Sequence, residues 1–293
     1  MRVRPRLSLR RNAIVTGVAV AVVAALGGVL AVALSPADGG SSRPVGPTPS
    51  PHAVRVVLPS ANATFDYQIG ASYPPARGVR AVSRDRSGEP AAGRYNICYV
   101  NAFQAQPDEL NWWKNTHPEL LLRGADGAVI VDKDWNEALL DVSTPAKRAE
   151  IASIVGTWID GCAHRGFQAV EPDNLDSYER SDGRLTPSDN ASFARLLSRR
   201  AHAAGLAIAQ KNTADLLAQH KSIGFDFAVT EECGRYRECE QYASAYADRV
   251  FDIEYRAGDF AATCRGSGAA LSVVLRDRDV SQPGSPDYLF KTC

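Results

Sequence analysis

From residue 65 to the carboxyl terminus, short runs of β-branched and aromatic residues alternate with longer stretches of helical periodicity. The strand-like runs are Phe65 to Ile69, Val79 to Ser83, Tyr95 to Val100, Phe167 to Val170, Leu206 to Gln210, Phe225 to Thr230, Val250 to Glu254 and Leu271 to Leu275. Between them, Ile151, Ile154, Val155, Trp158, Ile159 and Cys162 recur at helical spacing and predict a helix from about Pro145 to His164. Ser143 or Thr144 can cap it, Pro145 fits its first position, and Gly166 closes it. Thr186 and Pro187 open a second helix that ends near Gly205. Further helices are expected around Leu216, from about Glu238, and over Asp259 to Cys264. A long excursion after Val100 carries Trp112, Trp113, Leu120 to Leu122, Val129 to Val131 and Leu139 to Val142 without a clear period.

Strands that alternate with helices pair in parallel through right-handed crossovers. Eight such units in about 230 residues predict an α/β fold of the (β/α)8 TIM-like barrel type. A doubly wound open sheet is the competing architecture, but no GxGxxG turn follows the first strand.

In a parallel barrel the chemistry gathers at the carboxyl ends of the strands. Those ends carry Asp66 and Gln68, Tyr99 and Asn101, Lys211 and Asn212, Glu231 and Glu232, Glu254 and Tyr255, and Arg276 and Asp277. The richest end follows Phe167–Val170, where the chain turns into Glu171, Pro172, Asp173, Asn174, Leu175 and Asp176. Three carboxylates that close perturb one another's ionisation. The five histidines, His52, His117, His164, His202 and His220, fall in linker or helical positions, so a serine or cysteine nucleophile lacks its base. There is no GxSxG elbow and no P-loop. Leu175 stands where a calcium loop would need oxygen. No cofactor and no metal are expected. What remains is carboxylates with amides and aromatic rings, the equipment of glycoside hydrolysis.

The amino terminus changes the picture of where this happens. Five arginines precede an apolar run from Ala13 to Leu34, about the length that spans a bilayer. Residues 1–34 read as a signal peptide or an uncleaved membrane anchor, with the arginines cytoplasmic and the remainder outside. Residues 35–53 read as a Ser/Pro/Gly-rich linker, and 54–293 as the barrel domain. The chain has 33 basic and 33 acidic residues, but five of the basic ones lie in the first 34 positions. The exported part is therefore mildly acidic, which argues against nucleic acid and suits a cationic substrate. A monomer is expected, touching a membrane only through residues 13–34.

All six cysteines lie in the exported part, and their even count favours disulfides. Cys233 and Cys239 are close enough, with Gly234 permitting a turn, to form a local bridge. Cys264 with Cys293 would then tie down the carboxyl terminus and leave Cys98 with Cys162.

FDYQIG, YNICYVNAF, DVSTPAKR, GFQAVEPDNLDSY, LAIAQKN, FDFAVTEECGRY and SVVLRDRDV, in this order, resemble the endo-α-1,4-polygalactosaminidase family, glycoside hydrolase family 114. The resemblance runs from about residue 65 to the carboxyl terminus. It implies a barrel that cuts α-1,4-linked galactosamine polymers, with Asp173 and Glu231 as the catalytic pair. Glu231 is then assigned as general acid and Asp173 as nucleophile or base, and the reverse assignment is also physically sensible. The expected substrate contacts are Asp66, Gln68, Tyr99, Glu171, Asn174, Asp176, Lys211, Asn212, Glu232, Tyr255 and Arg276. A barrel that binds carbohydrate without turnover, or that cleaves another α-linked polysaccharide, stays open at this level.

Overall fold

A computed structural model describes residues 55–293. The expectations for residues 1–34 and 35–53 lie outside these described residues. Among the described residues, no helix is long and apolar enough to cross a membrane.

Eight parallel strands form the barrel: β1 (Phe65–Gln68), β2 (Ala81–Asp85), β3 (Tyr95–Asn101), β4 (Ala169–Asp173), β5 (Ala207–Lys211), β6 (Phe227–Glu231), β7 (Val250–Glu254) and β8 (Ser272–Arg276). A ninth, β9 (Phe290–Thr292), returns antiparallel to β8. Hydrogen-bonded ladders join each neighbour from β1 to β9. At the seam between β1 and β8, the Arg276 guanidinium reaches the Tyr67 carbonyl and lies 3.3 Å from Asp66 Oδ1. This is the (β/α)8 TIM-like architecture that the alternation predicts, with side chains bridging the last gap.

The elements follow their local signals. The helix Pro145–Arg165 starts at Thr144, whose hydroxyl accepts from the Lys147 N–H, and ends at Gly166 with φ +90°. It buries Ile151, Val155, Ile159 and Cys162 against the sheet. The helix Pro187–Ala203 begins with a reciprocal capping box between Thr186 and Asp189. Disulfides join Cys98 to Cys162, Cys233 to Cys239 and Cys264 to Cys293. The first ties β3 to the helix Pro145–Arg165, and the last ties the helix Ala257–Arg265 to the chain end.

Two features depart from the sequence expectation. Strand β4 does not turn at Val170 but continues through Pro172 to Asp173, paired with β3 along that length. Its ladder to β5 covers only Ala169 and Val170, so Pro172 sits where the second neighbour has already let go. The excursion after β3 also folds into a small antiparallel sheet of Gln104–Ala105, Val131–Asp132 and Glu137–Leu139. Its apolar residues Ala105, Leu120, Leu122, Ile130 and Leu139 join the main core, so the sheet is bound to one rim of the barrel.

Alternation along the strands decides which side chains reach the axis. Phe65, Tyr67, Ala81, Ile97, Ala169, Ala207, Ala209, Phe227, Val229, Phe251 and Ile253 fill the interior as one cluster. Counting on by two from these positions brings Tyr99, Glu171, Asp173, Lys211, Glu231 and Tyr255 to the same face at the carboxyl ends.

Candidate active site

The centre of that end is Lys211, whose side chain is 1% exposed. Its ammonium lies 3.0 Å from Glu171 Oε1, 3.2 Å from Asp173 Oδ1 and 3.4 Å from Glu231 Oε2. It also donates to the Tyr67 hydroxyl at 3.0 Å. Burial alone would pull the Lys211 pKa down, but Asp173, Glu231 and Glu171 outweigh it and hold the group well above the usual lysine value. The ammonium is a fixed charge beneath the site.

The three carboxylates around it are not equivalent. Glu171 is fully buried, accepts from the Tyr67 hydroxyl at 2.9 Å and the Ser83 hydroxyl at 2.7 Å, and is pushed up by burial against the pull of Lys211. Asp173 accepts from the Tyr99 hydroxyl at 2.7 Å and from the Asn174 N–H at 2.7 Å. Burial would raise it, yet Lys211 and these hydrogen bonds hold its carboxyl below the ordinary aspartate range, so it is ionised. Glu231 is the most open of the three, with a side chain 30% exposed. The Tyr255 hydroxyl donates to Glu231 Oε1, and Asn212 Nδ2 donates to Oε2 at 3.1 Å. Burial drives Tyr67, Tyr99 and Tyr255 well above the normal phenol value, so all three keep their protons and serve as donors.

The strand ends share a backbone device. Asn174, Asn212 and Glu232, each directly after a strand-end Asp173, Lys211 or Glu231, have φ of 67°, 45° and 59°. The left-handed turn swings the chain off the barrel immediately after the functional residue. Asparagine adopts this conformation readily; Glu232 does so while bound by Arg235 at 2.9 Å and Arg278 at 3.1 Å.

Of the residues expected to touch substrate, Tyr99, Lys211, Asn212 and Tyr255 stand in this cluster, and Asn174 borders it. Others do not. Asp66 and Gln68 have the opposite alternation to Tyr67 and point away from the axis; Gln68 donates to Asp66 at 2.7 Å and accepts from Arg84 Nε at 2.9 Å. Arg276 spends its donors on the carbonyls of Tyr67, Ser281 and Leu289. Glu171 lies beneath Lys211 with no exposed surface. Glu232 turns out to its two arginines, and Asp176 is held by Arg180 at 2.7 Å. Parity, burial or a committed counter-ion sets each of these six back from the open face, where other groups of the protein already occupy them.

Two groups escaped the sequence reading. Tyr67 stands between Asp66 and Gln68, and counting by two from Phe65 puts it on the inner face. Glu137, on the small rim sheet, brings Oε2 to 2.8 Å from Asn101 Nδ2 and 3.3 Å from Asn174 Nδ2. Only a lone acid between apolar runs marked it.

A charged lysine that keeps one carboxylate ionised, beside a second and more open carboxyl, can divide nucleophile from proton donor at a sugar carbon. The comparisons agree with that chemistry. A profile of glycoside-hydrolase family GH114 matches residues 46–293. A search of curated protein sequences finds no match. Among solved structures, Aspergillus fumigatus Ega3 in complex with galactosamine is 23% identical, with TM-score 0.67 over 82% of this chain and 98% of that one. The glycoside hydrolase domain of PelA from Pseudomonas aeruginosa is 15% identical, with TM-score 0.55 over 78% of this chain and 98% of that one. At these identities the solved structures speak for the fold; the profile match, over most of the sequence, shows that the chain belongs to glycoside hydrolase family GH114.

Proposed function

We propose that this glycoside hydrolase cuts α-1,4-linked galactosamine polymers at internal bonds, with Asp173 as nucleophile and Glu231 as general acid and base. The observation that carries the reading is the convergence of both carboxylates on the Lys211 ammonium. Their facing oxygens lie 3.2 and 3.4 Å from one nitrogen, so their separation cannot exceed the sum of those distances. That ceiling sits at the lower edge of the ~6.5–9.5 Å used by inverting pairs and accommodates the ~5–5.5 Å of retaining pairs.

In the first step an Asp173 carboxylate oxygen attacks the anomeric carbon. The bond to the glycosidic oxygen breaks, and that oxygen leaves with the Glu231 proton. In the second step the Glu231 carboxylate takes a proton from water, whose oxygen bonds to the anomeric carbon and expels Asp173. Tyr255 and Asn212 orient Glu231, while Tyr99 and the Asn174 N–H orient Asp173.

Galactosamine as substrate is supported by the acidic balance of the residues after position 34 and by the ligand of the Ega3 structure. An extracellular site of action, either secreted or tethered through residues 13–34, is supported by the arginine-led apolar run and by three disulfides that use every cysteine.

Defined galactosamine oligosaccharides test the reading. Internal cleavage, with product α-anomers seen first by NMR, is expected from the native enzyme. Asp173→Asn and Glu231→Gln should each lose at least about a hundredfold in kcat/KM. Binding without new reducing ends would leave a carbohydrate-binding barrel instead; near-full activity in either folded variant would remove the assignment.

A further inference from the structure

Glu137 reaches the site from outside the barrel. It stands on the rim strand Glu137–Leu139, and only its side chain crosses to β3 and the end of β4. Its Oε2 takes the amide donors of Asn101 and Asn174, and Gln104 adds a third at 2.9 Å when its amide oxygen faces Arg180. Among the described hydrogen bonds, Oε1 receives none.

The surrounding charges are lopsided. Asp132 faces Glu137 from the paired rim strand, and Asp173 faces it from β4. The neighbouring cation, Arg180, is committed to Asp132 at 2.8 Å, to Asp176 at 2.7 Å and to the Asn174 amide oxygen at 3.2 Å. Lys211 is committed to its own three carboxylates, and Tyr99 and the three amides are neutral. Burial first, then the charges of Asp173 and Asp132, raise Glu137 to about 7 despite its amide donors. A carboxyl so placed gains most from a cation brought in by a ligand.

The reaction defines where that cation would arrive. When Asp173 attacks the anomeric carbon, the next ring carbon, C2, lies one bond further on and carries its substituent within reach of Asp173's neighbours. Lys211 would repel a positive substituent there, and Asn174 and Tyr99 are neutral. We propose that Glu137 is the specificity-determining carboxylate that receives the C2 ammonium of galactosamine and so separates it from the N-acetylated sugar. This rests on the galactosamine reading above and adds the group that enforces it. An acetamido group offers no positive charge and adds bulk beside Asn101, Asn174 and Gln104.

The test compares galactosamine and N-acetylgalactosamine oligomers of equal length with native enzyme, Glu137→Gln and Glu137→Asp. Glu137→Gln should raise KM for the galactosamine oligomer by about ten- to a hundredfold, with a smaller change in kcat, and should collapse the selectivity ratio. The native KM for that oligomer should rise as pH falls below about 7, where Glu137 takes up a proton. That rise should be absent from Glu137→Gln, and Glu137→Asp should restore part of the preference. Should Glu137→Gln fail to fold, calorimetric binding of free galactosamine and N-acetylgalactosamine to the native enzyme across the same pH range gives the same reading, a pH-dependent preference for the amine. No cleavage of the galactosamine oligomer by native enzyme overturns the substrate reading and this inference together. Cleavage with an unchanged selectivity ratio in Glu137→Gln, or a pH-independent preference, overturns the inference alone.

Discussion

Lys211 Nζ lies 3.2 Å from Asp173 Oδ1, and both side chains stand at the open end of the barrel on adjacent strands. The lysine cannot act as an acid or base at ordinary pH, because the carboxylates keep it charged. Its work is electrostatic: it holds Asp173 ionised in a place where burial would otherwise return the proton.

Replacing Lys211 with methionine should therefore do two things. It leaves Glu171 buried without its cation, a change of the kind that costs about 3–5 kcal/mol, measurable by denaturant unfolding. It also lifts the Asp173 pKa, so the acid limb of the kcat/KM profile should move to higher pH. A limb in its native position in the folded variant would show that Lys211 does not set the charge of Asp173. Lys211→Arg should not rescue, since a planar fork does not match three carboxylates converging on one point.

The two carboxylates should separate on leaving-group chemistry. An aryl α-galactosaminide whose phenol leaves without a proton bypasses the first duty proposed for Glu231. Glu231→Gln should thus retain glycosylation of such a substrate, seen as a burst of phenol, and azide should accelerate turnover by replacing water. Asp173→Asn should show no burst. Tyr255→Phe, which removes the donor to Glu231 Oε1, should lower kcat by about ten- to a hundredfold and leave KM nearly unchanged.

Much of this architecture was legible because it rests on local signals. Thr144-Pro145 and Thr186-Pro187 announce two helices, and the strand runs announce a parallel sheet. Asp173, Lys211 and Glu231 were findable because all three are polar residues ending apolar strands. What the sequence did not reveal was parity. Asp66 and Gln68 look as suitable as Tyr67 until a register fixes which face sees the axis, and a shift of one residue reverses the answer. The placement of Glu171 and Arg276 was hidden for another reason: burial depth and donor commitment depend on partners distant in sequence, Lys211 and the Leu289 carbonyl among them. Glu137 was invisible because rim strands of two and three residues carry no period.

Residues 55–293 contain every strand of the barrel and all three disulfides. A chain beginning at Val54 should fold and hydrolyse substrate as the full-length chain does. Aggregation of the shortened chain, under conditions that keep the longer one soluble, would show that the domain boundary is misplaced.

Behind Glu231 lies a second pair of acids on the outer face of β7. Asp252 Oδ1 accepts from the Thr230 hydroxyl at 2.9 Å and the Cys233 N–H at 3.1 Å. Glu254 Oε1 accepts from the Gly234 N–H at 2.8 Å and the Thr263 hydroxyl at 3.3 Å. Gly234 must be glycine here, because a Cβ would collide with Thr263 and Glu254. The remaining oxygens, Asp252 Oδ2 and Glu254 Oε2, are buried without another donor, so the arrangement calls for one proton between them. Burial and mutual repulsion hold Asp252 well above its ordinary value, and burial raises Glu254 as well. Both folded-state values exceed those of the unfolded chain, near ~4. The contribution of the pair to stability is therefore complete below about pH 4 and is lost as pH rises through the folded-state values. Asp252→Asn keeps an acceptor for Thr230 and Cys233 and offers a permanent donor to Glu254. It should flatten the loss of Tm as pH rises above about 4, relative to the native enzyme. Asp252→Leu strands the Thr230 and Cys233 donors and should cost about 1–3 kcal/mol for each. Because these donors bracket Glu231 and Glu232, it should also lower kcat. Identical pH–Tm curves for the native enzyme and Asp252→Asn would mean that the two acids do not share a proton.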